Sequence, residues 1–328
     1  MNAAASSSPT GSTAPVLGNL ARHSFLLVML ACFLFFAVYN GAFLSLGNLT
    51  NILEGSAILL VVALGMTLVV ALGGIDLSVG VALDFGAAFA IVAMKDYDAS
   101  WYVAILCGLA GGAIVGLLNA ILVVRLSVSP FLATLGVFFI GGSVQRIFTN
   151  GGGPISFRRL PTEYYNLAVG NLFGIPMKIV IGVVVLAAFY VLLERSVFGK
   201  RFHAIGMQPS AARIAGINVK TYTSFGFIVA SMTCAIGGIM VSANLRMFTP
   251  LAGNAYLMQS IAAVFIGASM HPRGRPNVLG TAVGVVFLGM IANGLNLMGL
   301  DFNAKDALSG IILVVALVFA IAQRRLKV

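Results

Sequence analysis

Charge is scarce along this sequence. Only 9% of its 328 residues are Asp, Glu, Lys or Arg, and nine acids stand against nineteen Lys and Arg. A soluble chain of this length carries far more charge on its surface, so the composition excludes an ordinary globular domain. Cysteine is nearly absent too. Cys32, Cys107 and Cys234 each lie inside an apolar run, which excludes a disulfide framework and reads as free, buried thiols. His23, His203 and His271 are too scattered to form a site, and no cluster has metal-ligand spacing, so no metal is expected. There is no Walker-type phosphate loop and no nucleophile motif, so the chain has no catalytic residues and does not hydrolyse ATP itself.

What is abundant is apolar. Hydrophobic residues make up 60% of the chain and the mean hydropathy is +1.04, the signature of an all-α polytopic membrane protein. With roughly 20 apolar residues needed per crossing, segments near 24–43, 55–73, 77–94, 101–124, 130–149, 176–193, 223–244, 255–270, 278–298 and 307–323 give about ten transmembrane helices. Residues 1–22, rich in Ala, Ser, Thr and Pro, read as a disordered tail, and 23–328 as one transmembrane domain whose first span is not cleaved. An even number of spans puts both termini on one side. That side holds twelve Lys and Arg: Arg22, Arg125, the five of residues 194–222, Arg273, Arg275, Arg324, Arg325 and Lys327. The remaining seven fall opposite, so the richer side is read as cytoplasmic. The net charge of +10 therefore reports topology and contact with lipid headgroups, with no nucleic acid implied. Trp101, Tyr102, Tyr164 and Tyr165 suit an interfacial aromatic position.

The longest central polar stretch is 194–222. Arg195, Lys200, Arg201, Arg213 and Lys220 make it basic and Glu194 is its only acid. Gln208-Pro209-Ser210 opens a short helix through Ala211-Ala212-Arg213-Ile214-Ala215, and Gly216 closes it. Such a helix on a basic loop is suited to docking another protein; a solvated connector is the plain alternative. The turn Arg273-Gly274-Arg275-Pro276 reads as an orientation signal, and the loop from Thr149 to Pro176 is long enough to meet a partner on the far side or to stay merely solvated.

Thirty-eight glycines recur at close spacing, as at Gly108, Gly111, Gly112 and Gly116, and let helix backbones approach in lipid. Gly73-Gly74-Ile75-Asp76-Leu77-Ser78-Val79-Gly80 breaks one span and starts the next. There Asp76 or Ser78 caps the new helix, or holds a polar group at its N-terminus. Asp84 is an expensive carboxylate inside a span, either functional or a structural acceptor. Asn119 and Asn293 need partners away from water, in interhelical bonds or along a sugar-sized passage. Asp76, Ser78, Asp84, Asn119 and Asn293 are the candidate polar points of a translocation path.

At GGIDLSVG the sequence resembles the ribose-type permeases of bacterial ABC importers. ALGMTLVVALGGIDLSVG (63–80), GLLNAILVVRLSVSPFLATLG (116–136), FGKRFHAIGMQPSAARIAGINV (198–219) and GTAVGVVFLGMIANGLNLMG (280–299) agree in the same order, from roughly residue 47 to the end. The resemblance implies a monosaccharide permease of the bacterial inner membrane with about ten spans. Its partners would be a second permease subunit, a cytoplasmic ABC ATPase that uses ATP and Mg, and a periplasmic sugar-binding protein. It makes Pro209–Gly216 the coupling helix, with Pro209, Ala211, Ala212, Arg213, Gly216 and Ile217 at the ATPase contact. The chain departs from the family pattern at Met270–Pro276, which is stiffer and more basic, at Gly206-Met207-Gln208 and at Asp84. A proton-coupled secondary transporter using Asp84, or a scaffold recruiting a cytoplasmic protein, are the competing readings.

Overall fold

The computed structural model describes the backbone of residues 14–301 and of 304, 307, 308, 310, 311 and 314, with side chains from Phe25 onward. The chain folds as α1 (Ala14–Tyr39), α2 (Leu46–Ala71), α3 (Val79–Asp96), α4 (Trp101–Ala120), α5 (Pro130–Phe148), α6 (Thr162–Val169), α7 (Met177–Phe189), α8 (Val197–Met207), α9 (Pro209–Ile214), α10 (Val219–Leu245), α11 (Asn254–Met270) and α12 (Val278–Leu297). Single π-turns extend α4 through Ile121–Arg125 and α7 through Tyr190–Arg195.

Nine of the ten expected apolar segments coincide with helices, and the tenth, 307–323, falls mostly outside the described residues. Among the described residues, six helices are long and apolar enough to cross a membrane: those beginning at Leu46, Trp101, Pro130, Met177, Val219 and Val278. Among the rest, α3 carries Asp84, Lys95 and Asp96, and the 17 residues of α11 span about 25 Å, less than a hydrocarbon core. The helix from Ala14 also takes in residues 14–22, expected as part of the tail; residues 1–13 are outside the described set.

α10 is the centre of the bundle, packed by α2, α3 and α4, while α11 and α12 pair against the other side of α2. The glycine spacing explains how. A Cβ on Gly108 or Gly111 would lie 2.8 Å from the Gly86 and Phe85 carbonyls of α3, and one on Gly112 or Gly116 would lie 2.7 Å from the Ser231 and Phe227 carbonyls of α10. One helix thus offers two small-residue faces to two neighbours, and dispersion between close backbones replaces the hydrophobic drive that lipid cannot supply. Gly116→Leu is expected to cost more than the about 1–3 kcal/mol of a typical overpacked site, since the obstacle is backbone. Gly136→Leu, where a Cβ meets nothing within 4 Å, is the control; chromatography after stepwise heating in detergent would show monodispersity lost earlier only for the first.

The segment between α5 and α7 is ordered onto the bundle instead of being a merely solvated loop. β1 (Ile155–Ser156) pairs antiparallel with β4 (Met247–Phe248), and β2 (Asn171–Leu172) forms a small hairpin with β3 (Ile175–Pro176). Trp101 and Tyr102 are exposed as an interfacial pair requires, but Tyr164 is not: it is fully buried and its hydroxyl lies 2.7 Å from Ser242 Oγ. Burial won because a hydroxyl partner on α10 was available. Tyr165 instead receives the Arg246 guanidinium 3.9 Å above its ring.

Candidate functional site

The Gly-Gly break is built as expected and then used differently. Gly73, at φ +85°, ends α2 with its N–H on Val70 O and the Gly74 N–H on Val69 O, the Schellman pattern that only a left-handed residue allows. Ser78 does not cap α3 through its side chain. Its hydroxyl donates to Asp76 Oδ1 at 2.6 Å and accepts from Asn119 Nδ2 at 2.7 Å, while its N–H also reaches Asp76 Oδ1 at 2.8 Å. The residue between them, Leu77, donates its N–H to Thr134 Oγ1 of α5 at 3.0 Å. Asp76, Ser78, Asn119 and Thr134 are all fully buried. The extended link between α2 and α3 is therefore fastened to α4 and α5 by side chains distant in sequence, which makes it a defined joint. Asn119→Ala is expected to cost about 1–3 kcal/mol by removing the donor to the buried Ser78 hydroxyl, read as a lower midpoint of thermal aggregation in detergent, with Asn119→Ser restoring part of it.

Asp84 belongs to a second cluster. Its Oδ1 accepts the Gly253 N–H at 2.8 Å, and Gln145 Oε1 of α5 accepts the Leu251 N–H at 2.8 Å, so the two side chains hold the turn before α11. This is the structural-acceptor arrangement. Gly253 also lies directly against Gly80, which seats the turn on the first turn of α3.

Asn293 is elsewhere, in reciprocal amide bonds with Asn48 at 3.0 and 2.9 Å. Beside it α2, α11 and α12 border an open, largely apolar cavity of about 690 Å³ whose polar lining includes Asn51, Asn254, Tyr256, Gln259, Asn293 and Asn296. No Asp, Glu, Lys or Arg is among the described residues lining it; the neighbouring Glu54 is bonded to Lys178 at 2.7 Å. Such a surface supplies donors and acceptors in equal number without fixed charge, the chemistry that hydroxyl groups require. Of the five candidate polar points only Asn293 lines this cavity. Asp76, Ser78 and Asn119 meet in the joint and Asp84 in the turn cluster. The amides of Asn51, Asn254, Gln259 and Asn296 were not singled out in the sequence, although Asn48/Asn51 and Asn293/Asn296, each three residues apart at the edges of apolar runs, were a readable signal.

At the end of the bundle bearing α8, the short helix α9 takes the expected form. Pro209 occupies its first turn, and the Gly216 N–H to Arg213 O and Ile217 N–H to Ala212 O bonds close it, with Gly216 at φ +80°. Ala212 is 4% exposed, so its side chain supports α9 from beneath and is not available to a docked protein, a correction to its expected place in the contact. Ile214, in contrast, is 90% exposed. Pro209, Ala211, Arg213 and Gly216 share the exposed surface, and Ile217 is half-buried. Gly206, near the end of α8, rests against Ala71 O and Gly73, joining this region to the Gly-Gly break.

The histidines are less scattered than their numbering suggests. His203 sits with Glu194, Lys200 and Arg275 around a pocket of about 290 Å³ and feels His271 as well. Burial pushes the His203 imidazole below its ordinary range, Glu194 opposes this, and Arg275 and His271 add to it. Glu194 also accepts the Val278 N–H, tying the end of the α7 π-turn to the start of α12.

A family model described as "Branched-chain amino acid transport system / permease component" matches residues 48–317. The ribose import permease protein RbsC of Bacillus subtilis (strain 168) is 32% identical over 280 residues, covering 85% of this chain and 86% of its own. RbsC of Escherichia coli (strain K12) is 30% identical over 294 residues, 89% and 91% of the two chains. The galactofuranose transporter permease protein YtfT of the same organism is 31% identical over 275 residues, 83% and 79%.

Proposed function

The chain belongs to the branched-chain amino acid transport system / permease component family, and from that premise we propose that it is the membrane-spanning permease subunit of an ATP-binding cassette importer that passes a monosaccharide or similar small polyhydroxylated solute into the cytoplasm. The observation that carries the choice of solute is the uncharged amide lining of the 690 Å³ cavity. Fixed charges of both signs, which would pair with the two ends of a zwitterionic amino acid, are missing from its described lining. A neutral sugar needs many exchangeable hydrogen bonds of modest strength, so that it enters and leaves. The sugar names of the relatives agree with that chemistry. Asp84 accepts a backbone N–H away from the cavity, and no acid is among the described residues lining the cavity, so nothing there favours the secondary-transport reading.

In this reading about ten spans cross the bacterial inner membrane with both termini cytoplasmic. A second permease completes the passage, a periplasmic sugar-binding protein supplies most of the affinity, and the ATPase subunit binds ATP and Mg. No cofactor is bound by this chain. The ATPase seats on α9, with Ile214 entering its cleft and Pro209, Ala211, Arg213 and Gly216 around it. Closure of the ATPase pair displaces α8 and α9 together. Gly206 then presses on the Gly73 break, and the Asp76–Ser78–Asn119 joint keeps α2 and α3 from absorbing the displacement, so that the helices around the cavity move as packed bodies.

The deciding experiment is reconstitution of the permease with its ATPase and binding protein in proteoliposomes. Uptake of radiolabelled monosaccharide that depends on internal-facing ATP and ignores a proton gradient is expected. Uptake of leucine instead, or uptake by the chain alone down a proton gradient, would defeat the proposal.

A further inference from the structure

Between the π-turn that ends α4 and the first turns of α10 runs an open groove of about 660 Å³. Its two cations are Arg125 and Lys220, its hydroxyls Thr221 and Ser224, and its apolar wall Phe225 and Ile228. The π-turn matters here: the Leu126 N–H reaches back to Ile121 O, five residues away, and Arg125 is the last residue of that turn. Three other basic residues at this end of the bundle are engaged, whereas Lys200 and Arg213 lie outside the groove. Arg195 bonds the Tyr190 hydroxyl at 3.0 Å, Arg201 bonds Tyr222, and Arg275 contacts Met207 Sδ. Arg125 and Lys220 have no ion pair, hydrogen bond or aromatic partner among the described residues, and both are exposed. α10 also begins here, a 27-residue helix whose positive end lies beside the two cations.

A groove with two unpaired cations and two hydroxyls at one end and an exposed phenylalanine at the other is complementary to one kind of molecule in a membrane. We propose that it is a binding site for an anionic phospholipid. The phosphate sits between Arg125 and Lys220, Thr221 and Ser224 donate hydroxyl hydrogen bonds to it, and one acyl chain lies along Phe225 and Ile228. The charges carry the selectivity, since a zwitterionic headgroup would place its own cation against them. Because the site bridges α4 and the start of α10, directly after the loop that holds α9, a bound lipid would brace α10 at the point where that loop enters the membrane.

Native mass spectrometry of the full chain in detergent, titrated with phosphatidylglycerol or with phosphatidylcholine of the same acyl chains, tests this. Wild type is expected to retain phosphatidylglycerol selectively. Arg125→Gln with Lys220→Gln should weaken that retention roughly thirty-fold, about five-fold for each charge at an anionic surface. Arg158→Gln with Arg159→Gln removes the same charge from an exposed loop and should change nothing. Equal retention of the zwitterionic lipid would overturn the site, as would an equal loss in the control. Full displacement by inorganic phosphate would mean an anion site that does not use its apolar wall. Displacement on adding the ATPase would make the groove a protein-docking face. Either would also sink the lipid assignment.

Discussion

Ile214→Glu is expected to strip the ATPase from this permease and abolish ATP-driven uptake while leaving the membrane bundle folded. The side chain is 90% exposed at the end of α9, so its replacement removes no internal contact. Burying an isoleucine in a partner's cleft contributes about 1.5–3 kcal/mol, and a carboxylate left in that cleft costs more, so retention should fall by at least ten- to a hundred-fold. Pull-down of the ATPase beside a thermal-stability scan checks it: lost retention with unchanged melting supports docking through Ile214. Retention at the wild-type level would move the docking surface away from α9. Ala212→Glu is the instructive contrast. That residue is buried under α9, so its variant should lose both retention and local stability, and by itself says nothing about docking.

The second large effect is expected at the amide-lined cavity. Asn293→Leu leaves Asn48 with the Phe43 carbonyl as its remaining side-chain partner and removes a polar face from the wall. An unsatisfied buried amide costs about 1–3 kcal/mol, and the solute loses hydrogen bonds along its passage. Together these should lower uptake at least ten-fold, with ATPase retention and binding-protein-stimulated ATP hydrolysis still measurable. Asn293→Gln should recover part of the loss if hydrogen bonding is the cause. If Asn293→Leu transports normally, the 690 Å³ cavity is not on the path. Gln259→Glu offers an independent reading of the same wall: a fixed negative charge should discriminate against anionic sugar analogues far more than against the neutral sugar.

Much of this architecture was legible in the chain because it is set by local chemistry. Apolar runs located nine helices, seven of them to within a few residues, while α1 and α2 begin nine or ten residues earlier than expected. Gln208-Pro209-Ser210 and Gly216 bounded α9 because Pro pre-sets the first turn and Gly tolerates the left-handed exit. The glycines of α4 announced close packing. Tyr164 misled because an aromatic in a polar loop looks interfacial until a partner such as Ser242, 78 positions away, draws it inward. Ala212 and Ile214 are two residues apart in one small helix, yet one is buried and the other exposed; only the helix's seat on the bundle separates them.

By itself, then, the sequence determined the membrane class, the approximate helix positions, the cap chemistry of α9 and the helix break at Gly73-Gly74, all of which follow from hydrophobic transfer and backbone conformation over a few residues. The tertiary structure decided the grouping of the polar residues. Asn48 meets Asn293 across 245 positions, Asp84 meets Gly253 across 169, and Ser78 meets Asn119 across 41. A buried polar group must find a partner, but in a bundle of packed helices the partner it finds is set by which faces meet, and that is a property of the whole assembly of helices.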